Sequence, residues 1–175
     1  MKRTLRIIGV IMLMAVTFLL LTNLFIYIAN RPIANPAAVN VKVEEEESVK
    51  HFISKTHESL NGFLNYGKSD RYTEGDWKYM KQWFQSQESE LREFDKRVKN
   101  EKLKRDVKRS YELMKNGIET NNMQNVIYGH RIYHDLDIII NNYQKEQNIW
   151  GVSEFGNGAN IKVVEDEIVK LNKNV

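Results

Sequence analysis

Twenty-three consecutive residues, Ile7–Ala29, carry no charge, and only Gly9, Thr17, Thr22 and Asn23 interrupt an otherwise apolar series. A helix rising ~1.5 Å per residue over that length spans a ~30 Å hydrocarbon core with some tilt. A cleaved signal peptide would have an apolar region of ~7–15 residues followed by a small-x-small site. Here the run is longer, and Ala34, Ala37 and Ala38 are interleaved with Pro32 and Pro36, which makes a poor cleavage site. The segment 7–30 is therefore expected to be a single-pass transmembrane signal-anchor, touching the membrane through residues 7–29. No cysteine is present to carry a lipid in its place.

Charge placement orients the anchor. Lys2, Arg3 and Arg6 precede the run, whereas Arg31 is the basic residue immediately after it. The positive-inside rule keeps residues 1–6 as a cytoplasmic tail and exports the chain beyond the anchor, so the expected location is the cell membrane with the C-terminal domain outside. Four of the 26 basic residues lie at or before Arg31, which leaves 22 against all 23 acidic residues. The basic excess thus belongs to the tail, and nucleic acid is not an expected partner.

Residues 31–43, with two prolines and no periodicity, read as an extended tether. The remainder, 44–175, reads as one extracytoplasmic domain. It has to hold together without disulfides. Its apolar residues recur at helical spacing almost throughout. Val49, Phe52, Ile53, Leu60, Phe63 and Leu64 define a helix over roughly residues 45–66, with Glu44–Glu47 at its electropositive start and Gly67 as a stop.

Asp76 is a candidate N-cap for a second helix carrying Trp77, Met80, Phe84, Leu91, Phe94 and Val98. The next stripe, Leu103, Val107, Tyr111, Met114 and Ile118, starts five residues after Val98, a rotation of about 140°. A turn near Asn100–Glu101 separates the two, with one kinked helix as the alternative.

Gly117 and Thr120-Asn121-Asn122 mark a break before a fourth helix with Val126, Gly129, Tyr133, Leu136, Ile140 and Tyr143 on its core face. A glycine inside that stripe points to close approach by another backbone. A glycine- and asparagine-rich loop comes next, and Ile161, Val164, Ile168 and Leu171 form a short last helix, with Asn160 as its cap. The expected fold class is all-α: an antiparallel bundle of about four helices plus a short C-terminal helix, with Leu60, Phe84, Tyr111, Leu136 and Ile140 buried.

Catalytic motifs are missing. There is no GxSxG, no GxxxxGK[ST] and no HExxH, and Gly156-Asn157-Gly158 lacks the third glycine of a dinucleotide fingerprint. No enzyme and no cofactor is expected.

Two constellations remain. His130, His134 and Asp137 project within about 60° of arc from one helix, as metal ligands or as a structural polar cluster at the edge of the core. His51, His57 and Glu58 on the first helix are candidates to complete a metal site. The stretch Lys96–Arg109 carries eight basic residues against two acidic ones, as a contact for an acidic protein or polyanionic polymer, or as a solvated helix end. These features together read as a membrane-anchored helical interaction module of the envelope, with a metal- or small-ligand-binding domain as the alternative.

Overall fold

A computed structural model describes residues 12, 14–23, 36–39, 41, 43–143 and 148–173, without the side chains of 65–67. It divides into two units, residues 1–33 and 34–175. In the first, residues 14–23 are helical, and their apolar side chains, Phe18 and Leu20 among them, are exposed. Most of the expected anchor at 7–30, and the whole tail 1–6, lie outside the described residues. Among the described residues no helix is long and apolar enough to cross a membrane.

The second unit is all-helical. Its elements are α1 (Glu47–Leu64), a 3₁₀ segment (Asn65–Arg71), α2 (Glu74–Ser86), α3 (Glu88–Arg97), α4 (Glu101–Thr120), α5 (Met123–Asn141) and α6 (Ile161–Lys173). Among the described residues there is no β-strand, only an isolated bridge between Ala37 and Asn148. The helix boundaries arise from local chemistry. Asn100 accepts from the backbone N–H groups of Lys102 and Leu103, so the expected turn opens α4 as a capped new helix. Asn121, at φ 55°, ends α4, and Asn122 caps α5.

Two boundaries differ from expectation. Thr73 rather than Asp76 is the N-cap of α2, and Asp76 closes a capping box with it. The expected second helix breaks at Gln87, where the N–H of Gln87 bonds to the Phe84 carbonyl and the Ser86 hydroxyl donates to the Trp83 carbonyl. Between Phe84 and Leu91 lie six polar residues. None of the six is fully buried, so little core packing opposes a tightened turn.

Helix α5 is the centre of the bundle. It contacts α4 most extensively and α1 next. The pairs Ser110–Gly129 and Gly117–Val126 make α4 and α5 antiparallel, and the closeness is enforced by the glycines. A methyl group added at Gly129 would stand 2.4 Å from Met114 Cγ and 3.2 Å from the Ser110 carbonyl oxygen. The expectation of a close backbone approach there is met.

Leu60, Leu136 and Ile140 are buried as expected. Phe84 and Tyr111 are only partly buried, stacked on each other at 5.1 Å on the flank of the core. Tyr143 is exposed, because α5 ends two residues earlier. The expected short last helix is present as α6, with Val164 fully buried. Asn160 does not cap it by its side chain, which donates instead to the Trp150 carbonyl.

Part of the expected tether, 31–43, falls among the described residues and lies against the bundle. Ala38, Val41 and Val43 pack against the core, the Ile149 N–H donates to the Pro36 carbonyl at 3.0 Å, and Asn157 donates to the Ala37 carbonyl. The three apolar side chains gain more by burial than an extended, solvated strand would offer them.

Candidate functional site

Asp137 and His57 bring α5 and α1 together. His57 Nδ1 lies 2.8 Å from Asp137 Oδ2, and Asn141 Nδ2 lies 2.5 Å from Asp137 Oδ1. On its other side His57 Nε2 is 3.2 Å from Asn61 Nδ2, and the Asn61 Oδ1 atom is 2.9 Å from His130 Nε2. An amide nitrogen facing His57 Nε2 makes that ring nitrogen the acceptor, so Nδ1 carries the hydrogen given to Asp137. By the same reasoning His130 donates from Nε2 to Asn61. The chain Asn141–Asp137–His57–Asn61–His130 thus crosses from α5 to α1 and back.

The three imidazoles are packed ring against ring. His57 stacks on His130 with centroids 5.3 Å apart and meets His134 edge-on at 5.3 Å, while His134 also touches Trp150 at 6.5 Å. Burial, aided by His57, His134 and Arg131, pushes the His130 imidazole down to about 3, so it is neutral at physiological pH.

Of the expected ligands, His130 and His134 do share this cluster, whereas Asp137 is taken up by His57 and Asn141. His57 is the one first-helix candidate that reaches it. His51 and Glu58 are exposed. Among the described residues, no group of three or more histidine, aspartate or glutamate side chains is arranged to hold a metal ion. The geometry is a hydrogen-bonded seam that fixes the register of α1 against α5.

Three further buried carboxylates escape a reading by motif. Asp135 accepts from the backbone N–H groups of Trp150, Val152 and Ser153 at 2.6, 2.8 and 3.3 Å. Asp106 accepts from those of Glu154 and Phe155 at 2.9 and 2.7 Å. Burial raises the Asp106 carboxyl to about 6, against the pull of those two N–H groups and Arg109. Glu45 accepts from Lys99 and Asn100 at the α3–α4 junction. Each ties down a loop. The signal available in sequence is an acidic residue inside a helical apolar stripe, as Asp106 lies between Leu103 and Val107.

The basic stretch is largely paired. Lys96 and Arg97 meet Glu93, Lys99 meets Glu46, and Lys104 meets Asp95. Arg105 and Arg109 converge on Glu154, whose carboxyl their hydrogen bonds hold down at about 2. Lys102 and Lys108 have no carboxylate partner among the described residues. Beside this stretch, α3 and α4 enclose a groove of about 510 Å³ whose surface is mostly apolar.

The fold and its polar seams define a class: a single helical bundle whose loops are fastened by buried carboxylates. Compared with family models, curated proteins and solved structures, the chain matches none.

Proposed function

We propose that the chain is a single-pass membrane protein whose helical domain lies outside the cell and acts by binding other proteins of the envelope. The observation that carries the membrane part is the apolar run Ile7–Ala29 with its basic N-terminal flank. The exposed side chains of Met14, Val16, Phe18, Leu19, Leu20 and Leu21 on the helical stretch 14–23 support it, because such a surface is stable only against an apolar medium. The interaction part is supported by the groove between α3 and α4 with its basic rim. His57 and His130 are hydrogen-bonded to Asp137 and Asn61, which favours a structural role over the metal- or ligand-binding alternative.

The chain has no cysteine, so single introduced cysteines report topology directly. Lys162→Cys should react with a membrane-impermeant maleimide in intact cells, and Lys2→Cys only after permeabilisation. The reverse pattern, or labelling of both, would sink the orientation. Crosslinking of the full chain in its membranes tests the binding role, and a wild-type chain that yields no crosslinked species refutes it.

A further inference from the structure

We propose that the groove between α3 and α4 is a docking site for an acidic amphipathic helix of a partner protein. The proposal rests on the interaction-module reading and adds the chemistry of the partner.

Helices α3 and α4 are joined by only three residues, Val98–Asn100, yet they splay rather than pack closely along their length. The opening has an apolar floor: Phe94 and Val107 lie deep, and Leu91 and Tyr111 are partly exposed at its mouth. Its lining includes five basic side chains against two acidic ones, Asp95 and Glu101. Lys96 is held by Glu93, Lys104 by Asp95 and Arg105 by Glu154. That leaves Arg92 on one wall and Lys108 on the other, both exposed and without a carboxylate partner among the described residues.

The two halves of this surface select the occupant together. A polyanionic polymer satisfies the rim but offers nothing to an apolar floor. An apolar peptide fills the floor but leaves the cations without a counterpart. A helix with apolar side chains at i, i+3 or i+4 and i+7, flanked by glutamate or aspartate, complements both, which is the usual logic of a helix laid in a groove. The apolar anchors supply most of the affinity, and the rim charges supply orientation and speed of encounter.

The test uses the full chain in nanodiscs of zwitterionic lipid and a fluorescent synthetic helix of about 18 residues, or five turns, with a leucine seam flanked by glutamates. Controls are a scrambled peptide of the same composition and one with lysine in place of glutamate. Saturable binding is expected for the acidic amphipathic peptide alone. Arg92→Glu/Lys108→Glu should weaken it about tenfold or more and flatten its salt dependence. Leu91→Ser should weaken it without altering that salt dependence. Circular dichroism checks the fold of each variant, and the double variant alters exposed residues only.

Absence of binding to the wild type overturns the proposal, as does equal binding of the scrambled peptide or indifference to both variants. If the double variant instead reduces binding to anionic vesicles, the occupant is a lipid headgroup and the proposal falls. It falls equally if sedimentation shows a dimer that Leu91→Ser dissolves, since the occupant is then a second copy. Membrane crosslinks that persist unchanged in the double variant would leave the interaction module standing while removing this groove from it.

Discussion

His57 and Asp137, eighty positions apart in the chain, share a 2.8 Å hydrogen bond that ties the middle of α1 to the C-terminal half of α5. Asp137 is buried, and both its carboxylate oxygens are engaged, one by His57 and one by Asn141. Replacing it with Ala strands two partly buried donors, so Asp137→Ala should cost on the order of 1–3 kcal/mol in urea unfolding. A loss within ordinary surface values, about 0.5 kcal/mol or less, would show that the seam does not hold the helices together.

The same cluster sets a pH dependence. His130 is faced by His57 and His134, by Arg131 beside it and by Asn61 from α1, and it titrates at about 3 when folded against 6.5 when unfolded. The unfolded chain therefore takes up the proton first. The contribution of His130 is fully present above about 6.5 and is lost as pH falls toward 3, by at most about 1.4 kcal/mol per pH unit. Asp106 works in the opposite sense, since a carboxyl raised to about 6 stabilises most below 3.8 and loses that contribution as pH rises through 6. Thermal melts between pH 4 and 7 should show a shallower acid-side fall for His130→Asn than for the wild type; parallel curves would contradict it.

Two glycines in helices should respond in opposite directions to alanine. At Gly129 the new methyl would meet Met114 at 2.4 Å, so Gly129→Ala should destabilise by about 1–3 kcal/mol. At Gly62 nothing lies within 4 Å, and Gly62→Ala should stabilise by about 0.5–1 kcal/mol through helix propensity. Denaturation midpoints of the two variants decide the matter, and a neutral or stabilising Gly129→Ala would mean that α4 and α5 are not in such close contact.

Asp135 holds the loop after α5 by three backbone N–H groups, and Arg131 stacks at 4.0 Å over the Trp150 ring in the same loop. In Asp135→Ala the amides of Trp150, Val152 and Ser153 should lose protection from hydrogen exchange well before those of α4. Retention of their protection would assign the anchoring to other contacts. Asp135→Asn keeps one acceptor oxygen and should fall between the two.

At Leu136, fully buried on α5, truncation to Ala should cost about 2–5 kcal/mol. Its side chain belongs to the main apolar cluster, so a small loss would mean that the bundle is packed around a different face.

Legibility in the sequence depends on the range of the interaction. The helical class, the break before Glu101, the asparagine pair between α4 and α5 and the tight glycine at 129 all stem from periodicity and capping within one or two turns. The interruption at Gln87 is less visible, because a polar stretch reads equally well as a solvated face of one helix. The histidines at 130 and 134 stand out by spacing, and His57 can be named as a facing residue, but spacing does not single out its bond to Asp137 from the alternatives.

Sequence by itself therefore determined the helical class, the breaks before Glu101 and Met123, most of the apolar stripes, and an uncharged run long enough to span a membrane. Tertiary structure alone decided that Glu45, Asp106 and Asp135 are buried anchors of distant backbone, that residues from Pro36 dock on the bundle, and that most of the basic stretch is paired. The reason is physical. Propensity and periodicity act within a few residues, whereas the worth of a carboxylate depends on whether packing removes it from water and which N–H groups then face it. Those partners lie 49 residues from Asp106 at Phe155 and 55 from Glu45 at Asn100, and only the folded chain brings them together.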